Sequence, residues 1–294
     1  MIEEVTVVIV TFQSDHIIKK TLEKLSEKIN VIIVENSNRI DFKKKVEKLS
    51  KNITCILTGE NKGYGKANNI GINSSKTDYI LILNPDTFID QSIILKLLTR
   101  LKQDKKIGAI STETLDRKNK VSKDYYYSLF SQLKKKNIVT SEGLIEVDFF
   151  LGHMFLSKKS ILQEAGLFDE NFFLNHEETD LLKRIKKKNY KICIEKNVFA
   201  KHLKGSSGNP KKKFEIDLCF KWHYYWGYIY YLKKHYGFIV GFSVFLCLLF
   251  HNILRLFYFF VKGEREKNKL VYFSILGLIN SIFAKKSSYR PKIE

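Results

Sequence analysis

Apolar runs of five to eight residues alternate with amphipathic stretches along the chain up to residue 104. The apolar runs have the length of strands and are rich in Val and Ile, whereas the amphipathic stretches repeat apolar residues at helical spacing. The predicted strands are VTVVIVTF, VIIVEN, ITCIL and YILILN. The predicted helices are IIKKTLEKLSEKI, FKKKVEKLSK, GKANNIGINSS and SIILKLLTRLKQD. The pattern therefore predicts repeated β-α units.

The predicted strands are apolar throughout and do not alternate apolar with polar residues. A strand of this kind is buried on both faces, which is typical of a mostly parallel sheet covered by helices. The predicted fold class is α/β. In such sheets ligands bind outside the carboxyl ends of the strands, so the residues that follow each strand are the first candidates for a site.

Polar residues follow each of the four predicted strands. These residues are Thr11, then Glu35 and Asn36, then Gly63 and Gly65 of NKGYGKANN, then Asn84, Pro85, Asp86 and Thr87. They offer hydroxyls and amides for a nucleoside, glycine amides for phosphate, and the Asp86 carboxylate for a divalent cation. This set predicts a nucleotide-sugar site. The alternative is that Asn, Asp and Gly occur there only because turns favour them.

A second group of acids lies in FDENFFLNHEETDLLKRIKKKNY. Glu177, Glu178 and Asp180 stand just ahead of a predicted helix whose later residues are basic. One interpretation is that these charges only complement the helix dipole. The other is that the apolar residues before them desolvate a carboxylate, which then serves as a general base.

The composition favours a globular protein with an acidic partner. The 294 residues are 44% hydrophobic and 28% charged, enough for one large domain or a domain with an appendage. A formal charge of +20 indicates nucleic acid, an anionic membrane or a phosphate-bearing substrate. The four cysteines lack the spacing of a zinc site or a disulfide framework, and the first residues do not resemble a signal peptide, so we expect a cytoplasmic location.

The C-terminal region differs in composition from the part before it. Of 39 aromatic residues, 18 lie between Phe214 and Phe260, and the stretch KHLKGSSGNPKKK has the composition of a linker. We therefore predict a catalytic-type α/β domain at residues 1–205 and a basic, aromatic, helical region at residues 206–294.

The C-terminal region also contains 18 residues without formal charge, from Gly237 to Leu254. Because a bilayer span usually takes about 20 apolar residues, this length is marginal. We favour helices that lie in the membrane interface, with aromatic side chains at headgroup level and lysines against anionic lipid. The alternatives are helices packed on the α/β domain and a transmembrane hairpin.

At the level of motifs, the chain resembles the family 2 inverting glycosyltransferases with a GT-A fold, in particular the branch of bacterial rhamnosyltransferases. The motifs that carry the resemblance are VVIVTFQS, VIIVENSN, ENKGYGKANNIGI, DYILILNPDT and GLFDENFFLNHEETD. NPDT corresponds to the DxD metal-binding position of the family, and the last motif to its GGFDExFFxYxEDxD block.

The resemblance implies a role for individual residues. Glu178 would be the catalytic base, with Glu177 as a neighbour that shares its task. Asp86 would bind Mg²⁺ or Mn²⁺, and His202 would supply a further ligand. The residues implied to bind substrate are Thr11, Glu35, Asn36, Gly63, Gly65, Asn69, Asn84 and Glu177, of which Glu35 and Thr11 would lie at the nucleoside.

The implied reaction is metal-dependent hexosyl transfer with inversion, from a UDP- or dTDP-sugar to a glycan or lipid-linked acceptor in the synthesis of bacterial surface polysaccharide. The implied place is the cytoplasmic face of the membrane. One alternative is a nucleotide-sugar-binding protein without catalysis. A nucleic-acid-binding protein is disfavoured, because such a protein would not expose the long apolar runs of the C-terminal region.

Two other features have no assigned role in the sequence. We leave His153 and His176 out of the site, since isolated histidines are more often surface or core residues. The stretch at residues 116–137, which is rich in Lys and Tyr, is either an acceptor-side loop or a solvated insertion.

Overall fold

A computed structural model describes residues 1–127 and 143–290 of the chain. Within them the chain forms two compact units. The first contains residues 1–62, 66–168 and 178–209, and the second contains residues 63–65, 169–177 and 210–294, of which 291–294 lie outside the described residues. The predicted insertion at residues 116–137 is described only as far as residue 127.

The first unit is built on a mixed sheet of ten strands among the described residues. Its order is β3-β2-β1-β4-β11-β6-β12-β5, with β7 beside β6 and β9 beside β12, and β8 pairs with β10 separately. The strands are β1 Val5–Thr11, β2 Asn30–Glu35, β3 Ile53–Leu57, β4 Tyr79–Leu83, β5 Thr87–Phe88, β6 Ile107–Leu115, β7 Val121–Ser122, β8 Tyr125–Tyr126, β9 Leu144–Val147, β10 Phe149–Phe150, β11 Met154–Lys158 and β12 Lys191–His202.

The four predicted strands form the parallel part of this sheet. β1 pairs in parallel with β2 and β4, and β2 pairs in parallel with β3. Every residue of β1 is buried, as continuous apolar sequence predicts for a strand covered on both faces. The predicted α/β class with a mostly parallel sheet is confirmed. β11 lies antiparallel between β4 and β6, a feature that the sequence pattern did not predict.

Among residues 1–127 and 143–209, six helices connect these strands. They are α1 Asp15–Leu22, α2 Ile40–Glu47, α3 Tyr64–Ser74, α4 Gln91–Gln103, α5 Lys159–Glu164 and α6 Glu177–Lys187. α4 buries Ile94, Leu97, Leu98 and Leu101, the spacing that places one face of a helix against a sheet.

α1 ends at Leu22, seven residues before the end of the amphipathic stretch that predicted it. The hydroxyl of Ser26 accepts the backbone N–H of Lys28 at 3.2 Å, a local turn that competes with helical hydrogen bonding. Ile29 is then buried in front of β2. The chain therefore leaves the helix early in order to enter the sheet.

The second unit is built from three long helices, α7 Lys213–Tyr236, α8 Phe238–Val261 and α9 Arg265–Ile282. Ile229, Phe245, Leu278 and Ile282 form the apolar contact shared by the three. α7 and α9 approach so closely that a Cβ added at Gly277 would lie 2.2 Å from the carbonyl oxygen of Trp222. Glycine is therefore required at this crossing.

α8 differs from its two neighbours in exposure. Its most apolar 18-residue window has a mean hydropathy of 2.0, yet only 11% of that window is buried. Ile239 and Phe260 are 81% and 76% exposed. Among the described residues it is the one helix long and apolar enough to cross a membrane, judged by length and composition only.

Candidate active site

The chain turns sharply after β4, the strand that ends in Asn84-Pro85-Asp86. The turn is fixed on both sides, because the Thr21 hydroxyl donates to the carbonyl oxygen of Pro85 at 2.5 Å and the Asn84 amide donates to the carbonyl oxygen of His153 at 2.8 Å. Thr87 then pairs with His202 at the end of β12. This local pairing carries Asp86 into the interior, where it is 1% exposed.

The Asp86 carboxylate has two polar neighbours. Its Oδ2 accepts the backbone N–H of Ser206 at 3.0 Å, and its Oδ1 lies 3.5 Å from Nε2 of His202. Burial by itself raises the pKa of this carboxyl, but His202 and the Ser206 amide outweigh burial, so the pKa of Asp86 lies below its ordinary value. Asp86 is therefore held as a carboxylate in a buried position.

The segment after β12 closes over the ends of the strands. Besides the Ser206 amide at Asp86, the carbonyl oxygen of Ser207 accepts the hydroxyl of Ser14, the residue just before α1, at 2.6 Å. The composition of this segment is that of a linker, but its backbone makes part of the candidate site. Only the tertiary structure places it there, because its partners are over 100 residues away in sequence.

His202 also belongs to a cluster that could hold a metal ion. One ligand atom each of Asp124, His153 and His202 lies within 4.8 Å of the others, and all three residues are buried. The rings of His153 and His202 stack with their centroids 4.4 Å apart. Two residues of this cluster, Asp124 and His153, were not among the predicted ligands. Asp86, a predicted ligand, contacts the cluster through His202.

The protonation of the cluster suits a cation. Burial lowers the pKa of His153 to about 3, so its imidazole is neutral and has a lone pair to donate. Burial raises the pKa of Asp124, but the Lys204 ammonium at 2.6 Å and the Ser122 hydroxyl outweigh it, and the net pKa is lowered. Neutral imidazole and ionised carboxylate are the forms that bind metal.

The same cluster has unused hydrogen-bonding capacity. The buried atoms without a hydrogen-bond partner include Oδ1 of Asp86, Oδ2 of Asp124, and Nδ1 of both His153 and His202. Buried polar atoms of this kind are rare and call for an explanation such as an ion. Carboxylate oxygens suit Mn²⁺ and Mg²⁺, and imidazole nitrogens suit divalent transition-metal ions in general. The residues present therefore fit the divalent cation that the sequence predicts.

The sequence carries little signal for the two missed residues. His153 comes directly before β11, and its position beside Asn84 follows from the antiparallel pairing of β11 with β4. Asp124 lies in the stretch interpreted as an acceptor-side loop. No local sequence pattern indicates that either residue belongs to the site. Knowledge that β11 adjoins β4 would have placed His153 there.

The predicted nucleoside residues meet at the ends of β1 and β2. The Glu35 carboxylate, which is 0% exposed, accepts the hydroxyls of Thr11 at 2.5 Å and Ser37 at 2.7 Å. Burial raises the pKa of Glu35, and the two hydroxyls offset this only in part. In this structure the carboxylate is thus engaged with the protein's own hydroxyls.

Three predicted substrate-binding asparagines have contacts within the first unit. The side chain of Asn36 accepts the Lys62 amide at 2.9 Å and shapes the loop after β2. The Asn69 side chain exchanges two hydrogen bonds of 2.9 Å with the backbone of Phe168. Asn84 lies partly buried in the turn before Asp86. Their roles toward a substrate remain predictions.

The two predicted glycines lie at the start of α3, in residues of the second unit. Gly63 has a φ of +87°, and a Cβ added there would lie 2.5 Å from the carbonyl oxygen of Phe173. That carbonyl accepts the amide of Tyr64 at 2.8 Å. Gly65 lies in the first turn of α3. Glycine at position 63 is therefore explained by backbone conformation and by the approach of Phe173.

Glu178, the predicted base, is the second residue of α6. The prediction that Glu177, Glu178 and Asp180 stand just ahead of the helix is wrong, because all three lie inside its first turn. The partly buried Glu178 carboxylate accepts backbone N–H groups, one of them from Gly152, but burial is the larger effect and the pKa of Glu178 is raised.

Gly152 gives Glu178 its space. A Cβ added at Gly152 would lie 2.8 Å from Cβ of Glu178. The two other acids of this turn differ from Glu178 in surroundings. Asp180 is buried in an ion pair with Arg184 at 2.8 Å, and Glu177 is 3% exposed and belongs to the second unit. Asp180 thus has a structural partner of its own.

Comparison with protein families gives a match over the larger part of the chain. The family model of glycosyl transferase family 2 matches residues 6–166, which is more than half of the 294 residues. No curated protein sequence matches the chain.

Several solved structures have a similar fold. GalNAc-T7 with UDP, GalNAc and Mn²⁺ has a TM-score of 0.57 at 14% identity, over 78% of this chain and 47% of that one. A mannosyltransferase from Pyrobaculum calidifontis in complex with GDP-Man and Mn²⁺ has a TM-score of 0.59 at 12% identity, over 96% and 88%. S. aureus TarS has a TM-score of 0.52 at 12% identity, over 74% and 39%.

At these identities the likeness shows the fold, which is that of GT-A glycosyltransferases. The chain spans less than half the length of GalNAc-T7 and of TarS, and most of the length of the archaeal mannosyltransferase. Two of these proteins were crystallised with Mn²⁺, which agrees with the cation predicted for this chain.

Proposed function

We propose that this chain, which belongs to glycosyl transferase family 2, transfers a sugar with inversion from a UDP- or dTDP-sugar to a glycan acceptor, in a reaction that requires Mg²⁺ or Mn²⁺. The observation that carries the proposal is the group of unpartnered buried atoms on Asp86, Asp124, His153 and His202. Asp86 follows β4, His153 precedes β11 and His202 is the last residue of β12, at the edge of the sheet where open α/β sheets bind their ligands.

The cation would be held by Asp124, His153 and His202, with Asp86 beside His202. When bound, it supplies positive charge that stabilises a departing diphosphate. The chain's own contribution is to keep these donors ready. Lys204 and the Ser122 hydroxyl keep Asp124 ionised, and burial keeps His153 neutral.

Glu178 would accept the proton of the attacking acceptor hydroxyl. A base must be deprotonated to act and basic enough to take a proton, so a carboxyl with a raised pKa is better suited than an ordinary one. Burial gives Glu178 that property. Attack on the face of the sugar opposite the diphosphate gives inversion in a single displacement.

The donor side would use the ends of β1 and β2. Thr11, Glu35 and Asn36 would orient the nucleoside, after the Glu35 carboxylate exchanges a hydroxyl contact for the ligand. The GalNAc-T7 structure contains UDP and the archaeal structure contains GDP-mannose, which supports a nucleoside diphosphate as part of the donor. Rhamnose as the sugar rests on the motif resemblance.

The acceptor is proposed to be lipid-linked and the location to be the cytoplasmic face of the membrane. The supporting observation is α8, whose 24 residues carry exposed Phe, Ile and Leu side chains. A helix of that length extends about 36 Å, which suffices to lie in or cross a bilayer. Lys262, Arg265, Lys267 and Lys269 follow its C-terminal end, where they would meet anionic headgroups.

A thermal-shift screen of UDP- and dTDP-sugars with and without Mn²⁺ tests the donor proposal. We expect one compound to raise the melting temperature only when Mn²⁺ is present, because binding to the folded state alone stabilises it. That compound would identify both the base and the sugar. Absence of any shift with the full set of nucleotide sugars would contradict the proposal.

Flotation with vesicles tests the membrane proposal. We expect the protein to float with phosphatidylcholine–phosphatidylglycerol vesicles and to remain bound at high salt, because apolar insertion is not screened. Phe257→Ser with Phe260→Ser should release it, whereas Phe149→Ser with Tyr126→Phe, two changes in the first unit, should not. A protein that stays in the soluble fraction at every composition would rule the proposal out.

A further inference from the structure

Residues 169–177, the segment that leads into α6, form part of the helical second unit. Glu177 is its last residue, and the proposed base Glu178 follows directly. The contacts of this segment with α7 are dense and of three kinds: an ion pair with hydrogen bonds, buried aromatic rings, and two residues in strained conformations. Each kind restricts where α6 begins.

Asp169 anchors the start of the segment on α7. Its Oδ2 accepts the hydroxyl of Tyr230 at 3.0 Å and the ammonium of Lys234 at 2.6 Å. Its Oδ1 accepts the backbone N–H of Asn171 at 2.9 Å. The carboxylate is only 13% exposed, so these contacts are shielded from solvent and stronger than those of a surface ion pair.

Two phenylalanines fix the middle of the segment. Phe172 is 0% exposed, with its ring centroid 4.9 Å from that of Tyr230 and 6.3 Å from that of Trp226, both near-perpendicular contacts. Phe173 packs on His223 with centroids 4.6 Å apart. Edge-to-face packing of this kind is directional and resists a sliding of the segment along α7.

The end of the segment is strained. Asn175 and His176 have φ values of 70° and 68°, a left-handed conformation that non-glycine residues rarely adopt. Such residues persist where the surroundings determine them. Here the His176 ring lies against Tyr224 and Tyr228, with centroids 4.8 Å and 5.5 Å apart.

Gly227 of α7 makes room for the strained pair. A Cβ added at Gly227 would lie 3.0 Å from the carbonyl oxygen of Asn175 and 3.1 Å from Cδ2 of His176. The two strained residues are thus in close contact with the backbone of α7. They come immediately before the first helical residue of α6.

We infer that α7 is a positioning element for the catalytic base, and that Tyr230, Lys234 and Gly227 set the placement of Glu178 through residues 169–177. This inference rests on the proposed function, in which Glu178 is the base. It assigns to the C-terminal helices a role in catalysis that is separate from membrane binding. A displacement of about 1 Å at a catalytic group can reduce the rate about 100-fold, so contacts remote from the reacting atoms can control kcat.

The test uses the full chain in detergent solution and the double variant Tyr230→Phe/Lys234→Met, which removes both α7 partners of Asp169 and keeps the ring that packs on Phe172. The matched control is Tyr190→Phe/Lys188→Met, which removes the same two kinds of group from the exposed Glu164 carboxylate, a hydroxyl at 3.0 Å and an ammonium at 4.0 Å. The substrate is UDP-glucose or dTDP-rhamnose, whichever the thermal-shift screen identifies, and released UDP or dTDP is measured.

We expect kcat of the α7 variant to fall about tenfold with the donor KM within about twofold of wild type, because misplacement of a base affects the chemical step and not donor binding. Amide exchange of peptides covering residues 169–180 should increase, and peptides of β1 and β4 should exchange as in wild type. The Tyr190→Phe/Lys188→Met control should match wild type in both measurements. Gly227→Ala, a second route to the same displacement, should give the same separation of kcat from KM.

Three outcomes would overturn the inference. The first is an unchanged kcat with a lower melting temperature, which would make the contacts structural only. The second is a raised donor KM with unchanged kcat, which would assign the segment to donor binding. The third is an equal loss of kcat in the Tyr190→Phe/Lys188→Met control. The variant Glu178→Gln distinguishes failure of this inference from failure of the proposed function. If Glu178→Gln keeps full kcat, Glu178 is not the base and the proposed function fails. If Glu178→Gln is inactive while the α7 variant is fully active, only the positioning role is rejected.

Discussion

Asp86 and Glu178 are both acids withdrawn from water, yet the protein shifts their pKa values in opposite directions. At Asp86, His202 and the Ser206 amide outweigh the effect of burial, and the pKa falls. At Glu178 burial outweighs three backbone N–H donors, and the pKa rises. The two pKa values shift in opposite directions because Asp86 has the His202 imidazole beside it.

Opposite shifts on two carboxyls separate the roles that each can perform. A carboxylate with a lowered pKa stays charged and attracts a cation, so Asp86 suits the diphosphate side of the reaction. A carboxyl with a raised pKa takes up a proton at higher pH than an ordinary carboxyl does, so Glu178 suits the acceptor side. The fold thus gives Asp86 and Glu178 pKa shifts of opposite direction, in agreement with the different roles predicted for them.

The largest expected effect is that of Glu178→Gln. We expect kcat to fall about 1000-fold, because the amide cannot accept the proton and general-base catalysis contributes up to about four orders of magnitude. Binding of UDP or dTDP with Mn²⁺, measured by calorimetry, should be unchanged. Glu164→Gln, at an exposed residue of α5, is the matched control, and equal losses in both variants would remove the special status of Glu178.

Asp86→Ala should have the next largest effect. We expect the Mn²⁺-dependent affinity for UDP or dTDP to fall by about 100-fold, since the buried negative charge that attracts the cation is lost. Calorimetry with and without Mn²⁺ measures this difference. Asp90→Ala, whose side chain is 71% exposed in wild type, should bind normally. An unchanged affinity in the Asp86 variant would contradict its assignment.

His153→Gln tests the extended cation cluster. We expect Mn²⁺ itself, titrated without nucleotide and followed by electron paramagnetic resonance, to bind about tenfold more weakly. The same substitution at His251, an exposed residue of α8, should leave Mn²⁺ binding intact. Equal Mn²⁺ affinities in wild type and the His153 variant would restrict the site to Asp86 and His202.

Gly152→Ala should have a smaller effect on Glu178 alone. The new methyl group meets Cβ of Glu178 at 2.8 Å, so the glutamate must move. We expect kcat to fall several-fold to about tenfold with Mn²⁺-dependent UDP or dTDP binding intact. Weaker nucleotide binding in the Gly152 variant would mean that the position of Glu178 affects the cation and nucleotide site at Asp86.

The smallest effect concerns pH. The base must be deprotonated to act. As the pH falls, a carboxyl with a raised pKa becomes protonated at a higher pH than an ordinary one. The acid limb of the kcat profile should therefore lie above pH 4.5, the ordinary value of glutamate. A profile measured at saturating donor and Mn²⁺ checks this, and an acid limb at or below that value would show that burial does not govern Glu178.

Much of the first unit could be predicted from its sequence because the signals are local. The apolar runs of β1 to β4 and the apolar spacing of α4 are read within a few residues, and the turn at Asn84-Pro85-Asp86 follows from residue type. α1 was predicted too long, since the turn at Ser26 depends on one hydroxyl contact. β11 was not predicted, because its antiparallel pairing with β4 has no local pattern.

The sequence by itself determined β1 to β4, the helices that follow them, the family and the edge of the sheet where acids gather, because periodicity and short motifs are properties of neighbouring residues. The tertiary structure decided which side chains share an environment: His153 and Asp124 with His202, Gly152 with Glu178, and residues 169–177 with α7. It also decided the direction of each pKa, since desolvation and charge depend on groups brought together from distant parts of the chain.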